Sequence, residues 1–432
     1  MMSALPLKNQ LKQLAVFDRY KARMVWDVLT GRLDARARGL ADSIDWSTWQ
    51  PGRRTVLCLD RSQFSKDIDE LRARTHYNWV TTRAASLKRC QESWVAPDDR
   101  IQTYFTGYLD GRCSHLKQPL KRLGLEFLRS AMKKHPISAV MAGNTDYWQD
   151  DAVKLACQEL GIPFLVLCRD NYITPLDFRN VTGRMADSGF KFAGDGVAVF
   201  SEGTRRTLEA TKAYPEGSIW LTGAPRYDRW REVIVPPKSE RRCLVLLSYA
   251  HPLYLAPQNF AEVAKKFCEL SLSAPPGIEY LIKVKKPSDI DVAVESVPDV
   301  SNCPVKLIWE EPIYETFPRS LAVIGFNTMA VLEAYLCDVP VIVPCWGDAV
   351  RDSDETLISY SDPDDAAVAY FPRSVDEFTA LVKQAEQGLL SSRGTPDMQM
   401  ARFRRHIAQP TDGLSSTAVE RFVDHFVGDK DS

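Results

Sequence analysis

The chain has 432 residues, 45% apolar and 26% charged, with 55 Lys and Arg against 56 Asp and Glu for a formal charge of −1. That is about two to three times a usual domain of ~100–200 residues, so at least two hydrophobic cores are expected. The apolar content excludes a mainly disordered chain, the balanced charge gives no support to nucleic-acid binding through a basic face, and no apolar run reaches the ~20 residues of a membrane helix.

Residues 1–50 read as amphipathic helices with a modest basic excess, which is either a solvated face or a weak attraction to an anionic membrane surface. The start lacks the apolar core of a signal peptide, so the expected location is the cytoplasm, with at most a peripheral contact at the inner face of the membrane. Over 51–232, short apolar runs alternate with segments of helical period. The runs are 55–59, 101–105, 138–143, 164–168, 197–200 and 218–223. Between the third and fourth, Ala152, Val153, Leu155, Ala156 and Leu160 mark one buried face of a helix, giving a parallel strand–helix–strand unit. The charged, proline-containing stretch REVIVPPKSERR (231–242) reads as a linker.

A second series fills 240–400, with strands at 243–249, 280–285, 305–309, 321–326, 339–344 and 368–372 and helices through 260–271, from Thr328, and near 375–390. Residues 401–432 read as a closing helical segment. The fold class is therefore α/β, two Rossmann-like domains in tandem with extra N-terminal helices and a C-terminal closing helix. Ligands are expected at a cleft formed by the carboxyl ends of the strands. The ten cysteines stand singly, several inside apolar runs, as reduced structural thiols do. The six histidines are dispersed, and no local spacing assembles a metal site.

Three stretches carry chemistry. In LAVIGFNTMAVLEAYLCDVPVIVP a buried strand ends at Gly325, and Asn327 or Thr328 can cap the following helix, whose N-terminus suits a phosphate. Glu333, further along, could accept hydrogen bonds from ribose hydroxyls. In YLIKVKKPSDI a strand runs into Lys283, Lys285, Lys286 and Pro287, and His251 with Pro252 follows the first strand of the second series. In SIWLTGAPRYDRW the strand ends abruptly and Arg226 and Asp228 emerge beside the linker.

The pattern Asn327, Thr328, Glu333, Ala334, Pro340, Val341 resembles the nucleotide-binding element in the second domain of GT-B glycosyltransferases, where it receives the phosphates and ribose of a sugar nucleotide. Asp338 occupies the position usually held by Gly, a substitution that a left-handed backbone tolerates. The lysine loop is similar to the K-x-H-P motif of capsule and surface-polysaccharide transferases, including those using CMP-activated acidic sugars, with Lys286 in place of His. Thr222, Gly223, Pro225, Arg226 and Asp228 match a T-G-x-P-R-x-D element of the same transferases and of CDP-glycerol transferases. The loop at Arg169, Asp170 and Asn171 resembles the acidic loop of keto-deoxy-octulosonate (Kdo) transferases, with one acid and a Gly lost.

What this resemblance implies is a GT-B glycosyltransferase that moves a sugar from a nucleotide donor to a saccharide or lipid-linked acceptor of a surface polysaccharide or glycolipid. Lys283, Lys285 and Lys286 favour a CMP-linked acidic sugar such as Kdo. Asp228, Asp170 and Asp146 are the candidate catalytic carboxylates, since glycosyl transfer needs a carboxylate as base, nucleophile or charge stabiliser. Lys283, Lys285, Lys286, Pro287, Asn327, Thr328 and Glu333 are the nucleotide side, with Arg226 and His251 as further cleft candidates. No metal is expected, because the acidic run at 362–365 reads as a solvated turn, and no cofactor beyond the nucleotide sugar is implied. The alternatives are a CDP-glycerol-type polyol phosphotransferase, a UDP-sugar 2-epimerase, and a binding protein without turnover.

Overall fold

The computed structural model describes residues 19–60, 64–95, 114–248, 256–285, 303–408 and 414–428. The chain divides into two compact units. Unit 1 takes its described residues from 1–172, 178–228 and 407–432, and unit 2 from 173–177 and 229–406.

Unit 1 is built on six parallel strands, β1 (Thr55–Asp60), β2 (Asn78–Arg83), β3 (Ala139–Ala142), β4 (Phe164–Cys168), β5 (Gly196–Val199) and β6 (Ile219–Leu221), in the order β2-β1-β3-β4-β5-β6. The central strands are buried along their whole length, as parallel strands covered by helices on both faces must be. Each fully buried Val, Leu or Phe contributes ~1.5–3 kcal/mol to holding that stack.

The expected strand at 101–105 lies outside the described residues. β2 was not anticipated, because NWVTTR carries a buried Asn and three hydroxyl or cationic side chains instead of an apolar run. Asn78 is tolerated because its amide donates to the carbonyls of Gln50 (2.8 Å) and Arg53 (3.1 Å) and accepts from the Gln50 N–H (2.8 Å). The C-terminal helix Ser415–Val427 packs on this unit. Tyr77 donates its hydroxyl to Asp424 at 2.6 Å, and Phe422 meets Trp220 edge-on at 5.9 Å.

Unit 2 has five parallel strands, β7 (Cys243–Ser248), β8 (Glu279–Val284), β9 (Lys306–Ile308), β10 (Ser320–Ile324) and β11 (Val341–Ile342), ordered β11-β10-β7-β8-β9. The helix Pro257–Ser271 covers it, burying Phe260, Val263, Ala264 and Phe267. The strand expected at 368–372 is replaced by the end of a helix (Pro363–Val368) and a single bridge from Tyr370 to Ile342. Asp362 caps that helix through the Asp364 N–H at 3.0 Å, and the helix takes up the acidic run expected as a turn. The nine described cysteines are free thiols, seven of them buried.

In each sheet the strand order reverses once. In unit 1 the chain steps from β1 outward to β2 and then crosses to β3 on the other side of β1. In unit 2 it steps from β7 to β8 and β9 and then crosses to β10. Connections leave these adjoining strands in opposite directions, which opens a crevice at their carboxyl ends where open α/β sheets bind ligands.

Candidate functional site

In unit 1 the loop leaving β3 beside the reversal carries Gly143, Asn144, Thr145, Asp146 and Tyr147, and the loop leaving β4 carries Arg169, Asp170 and Asn171. The loops are stitched together. Arg169 donates its backbone N–H to the Gly143 carbonyl (3.1 Å), its Nε to Asn144 Oδ1 (3.0 Å) and a guanidinium nitrogen to the Tyr147 hydroxyl (2.9 Å). Asn144 spends its amide N–H on the Asp170 carboxylate. Behind them the Tyr214 hydroxyl donates to Thr145 Oγ1 (2.9 Å), and Lys154 Nζ donates to the Thr145 carbonyl (3.0 Å).

Asp146 is only 6% exposed, and burial pushes its carboxyl up from the usual range to about 7, helped by the nearby charge of Asp170. Arg184, at 3.9 Å, and Lys154 oppose that rise without cancelling it. A carboxyl that titrates near neutrality can take up and release a proton at physiological pH, as general acid–base work requires. Asp146 and Asp170 are thus brought together.

A cavity of about 550 Å³ opens at the ends of β1 and β2, lined among others by Asp60, Ser65, Arg72, Arg83 and Ser86. Arg72 holds the Trp79 carbonyl through Nε at 2.8 Å, while its Nη2 is buried without a hydrogen-bond partner among the described residues. None of these five residues stood out in the sequence. Asp60 and Arg83 end strands, which was a usable signal, but β2 itself was not legible.

Asp228 does not join this site. Its carboxylate accepts the N–H groups of Ser415 (2.8 Å) and Ser416 (2.7 Å) and the Ser416 hydroxyl (2.7 Å), and the residue is 4% exposed. The expectation of a catalytic role is corrected: Asp228 anchors the N-terminus of the last helix, where an anion is favoured by the helix dipole. Arg226 is likewise structural, its guanidinium and backbone N–H both held by the fully buried Asp67. Gly223 completes the element. It has φ +70°, and a Cβ there would lie 2.3 Å from the Ala408 carbonyl oxygen. The T-G-A-P-R-Y-D stretch fastens the returning C-terminal segment to unit 1.

In unit 2 the strand β10 ends at Gly325, where a Cβ would meet Val331 at 2.5 Å, so glycine lets the next helix fold tightly against the sheet. Thr328 caps the helix Met329–Glu333 through its hydroxyl, and Glu333, half-buried, is its last residue before a 3-10 turn. Asn327, expected on the nucleotide side, has its side chain engaged within unit 2. It donates to the Glu355 carbonyl (3.1 Å) and accepts the Leu357 N–H (2.7 Å), fixing the turn to a neighbouring loop. Asp338 adopts the left-handed conformation (φ 49°, ψ 50°) that closes the helix end. Arg241 caps the carbonyls of Cys337 and Asp338 at 3.1 and 2.9 Å.

Across the reversal from Gly325, at the carboxyl end of β7, Ser248 is 3% exposed and its hydroxyl has no hydrogen-bond partner among the described residues. A buried hydroxyl left unmatched costs about 1–3 kcal/mol, which a ligand oxygen would recover. Sequence reading passed over it as the end of an apolar strand.

The lysines separate. Lys283 is 9% exposed and donates to the Trp309 carbonyl at 2.7 Å, so its ammonium braces the loop after β9. Lys285 is exposed at the end of β8, whereas Lys286, Pro287 and His251 lie outside the described residues. The acidic run at 362–365 is no solvated turn, since Asp365 is 1% exposed and paired through both oxygens with Arg402.

No family model matches the sequence, and no curated protein matches it. Solved structures are similar at low identity. One is the complex of MnaA from S. aureus with UDP (10% identical, 87% of this chain and 97% of that one, TM-score 0.48). Another is a UDP-N-acetylglucosamine 2-epimerase, so described provisionally, from Listeria monocytogenes (12%, 87% and 97%, TM-score 0.49). A third is the lipopolysaccharide outer core galactosyltransferase WaaB in its apo form (12%, 86% and 99%, TM-score 0.44).

Proposed function

We propose that the chain is a sugar-nucleotide-dependent glycosyltransferase of the GT-B type, with Asp146 as its acid–base carboxylate. The observation that carries this reading is the buried Asp146 carboxyl, held near pH 7 beside Asp170 at the carboxyl edge of a parallel sheet. In the forward step the Asp146 carboxylate takes the proton of an acceptor hydroxyl as that oxygen bonds to the anomeric carbon, and the nucleotide departs with the electrons of the broken glycosyl–phosphate bond. The cavity bordered by Arg83, Ser65 and Ser86 supplies polar groups for a saccharide acceptor or the saccharide part of a lipid-linked one.

The nucleotide side is assigned to unit 2, on the resemblance of its Thr328-to-Val341 element to sugar-nucleotide binders and on the unmatched Ser248 hydroxyl. With Lys283 committed to Trp309, the preference for a CMP-linked acidic sugar such as Kdo rests on Lys285 and Lys286 and on the loop resemblance at Asp170.

Incubation with CMP-, UDP-, GDP- and CDP-activated donors, with and without a saccharide panel, tests the reading through nucleotide release. Acceptor-dependent release abolished by Asp146→Asn supports it, and release only with UDP donors removes the CMP assignment. Isomerisation of a UDP-sugar without acceptor would replace the transferase reading with an epimerase. Binding of a nucleotide with no turnover would leave a binding protein.

A further inference from the structure

The helix over 19–29 buries one face and leaves another unpartnered. Met24 and Asp27 point inward at 5% and 0% exposure, whereas Val25, Trp26 and Leu29 are 44%, 54% and 78% exposed. With Ala22 and Lys21 these three line one groove on the helix surface. An exposed tryptophan beside two exposed aliphatic residues, spaced one helical turn apart, is the pattern of a surface that meets something apolar.

The charge around it chooses the occupant. Arg19, Lys21 and Arg23 are exposed on the same helix, and Arg32 and Arg38 on the next, Arg32–Asp42. Asp27, the only acid among the described residues of the first helix, is removed from the surface. It pairs with Arg36 at 2.8 Å and Arg23 at 3.5 Å and accepts the Trp94 indole N–H at 3.0 Å. Among its described residues the first helix is therefore apolar at the centre of this face and cationic at its margin, without an exposed carboxylate; on the next helix Asp34 and Asp42 pair with Arg122 and Lys134. Tryptophan settles readily at the headgroup level of a bilayer, and a cationic margin suits its anionic phosphates.

We infer that this face seats the protein on an anionic phospholipid surface, with Val25, Trp26 and Leu29 entering the headgroup boundary and Arg19 and Lys21 meeting lipid phosphates. No helix among the described residues is long and apolar enough to cross a membrane. The inference stands independently of which donor, if any, the chain turns over.

Sedimentation of the full chain with vesicles of phosphatidylcholine, alone or mixed with phosphatidylglycerol, tests it. The protein is expected to pellet with the mixed vesicles at low salt and to release at high salt. The triple variant Val25→Ser, Trp26→Ser, Leu29→Ser is expected to weaken partitioning about 100-fold, and Arg19→Gln with Lys21→Gln about tenfold. All five side chains are exposed, and unchanged circular dichroism confirms that the variants fold. Wild-type protein that stays in the supernatant with anionic vesicles overturns the inference, as does a triple variant that pellets equally well. A shift from dimer to monomer on making the triple variant, without lipid, also overturns it and assigns the face to a second copy of the chain.

Discussion

Asp228 and Ser416 are 188 positions apart, yet the Asp228 carboxylate accepts both the backbone N–H and the hydroxyl of Ser416, each at 2.7 Å. The motif that suggested a catalytic acid proves to be the seat of the last helix. Asp228→Ala is expected to destabilise unit 1 by about 3 kcal/mol, since it strands buried N–H groups and removes an anion from a helix N-terminus. Turnover per folded molecule should stay within about twofold of wild type. Denaturant unfolding and activity normalised to folded protein check the two halves separately. A selective loss of turnover with intact stability would return Asp228 to the chemistry.

Asp146→Asn should do the reverse, lowering turnover about 100-fold or more while the fold survives. In wild type the rate is expected to rise with pH through about 7 as the carboxyl ionises, and the variant should lack that limb. Stability carries the opposite sign. The folded carboxyl holds its proton up to about pH 7, while in the unfolded chain it has already lost it near its ordinary value of 3.8. Its favourable contribution is present in acid and is lost as pH rises through 7. Asn should therefore stabilise the protein relative to wild type at about pH 8 and make little difference at about pH 4, read by thermal melts at the two pH values.

Ser248→Ala separates binding from folding. Removing a buried hydroxyl with no partner among the described residues should leave stability unchanged or raise it by about 1 kcal/mol. If that hydroxyl bonds a donor oxygen, the nucleotide Kd rises about tenfold, measured by titration calorimetry. Unchanged affinity would remove Ser248 from the site.

Gly223→Ala should cost about 3 kcal/mol, because its φ of +70° disfavours any L side chain and the new methyl collides with the Ala408 carbonyl. Chemical denaturation of the purified variant reads this directly.

Asp338→Gly is expected to stabilise unit 2 by about 0.5–1 kcal/mol through relief of the left-handed conformation. Arg241 bonds only backbone carbonyls there and keeps its partners, and the Lys238–Asp338 pair, 3.8 Å apart and half-exposed on both sides, contributes little. A rise in the unfolding midpoint is the measurement.

The sheets were legible where strands are apolar runs closed by turn residues, as in TVLCLD, FLVLC and CLVLLS, because a strand buried on both faces must be apolar throughout. β2 was hidden because its buried Asn78 is satisfied by contacts with residues 50–53, which pattern alone does not display. The run at 368–372 looked like a strand for its aromatic and aliphatic content, yet the Asp362 cap draws the residues before Tyr370 into a helix. At the site, Asp146 and Asp170 could be placed at strand ends from sequence. The roles of Asp228, Arg226, Asn327 and Lys283 could not, since each is decided by a partner distant in the chain or by a backbone carbonyl with no sequence signature.

The last helix also orders events in synthesis. Unit 1 is assembled from residues at both ends of the described chain, whereas almost all of unit 2 lies in one run between them. Domains fold as they emerge, and unit 2 leaves the ribosome before the segment that Asp228 and Gly223 await. Until Ser415 and Ser416 arrive, a carboxylate meant for burial stands without its donors and Trp220 lacks the Phe422 ring against it. A nascent chain halted between the two stages should be the form that chaperones retain and proteases find.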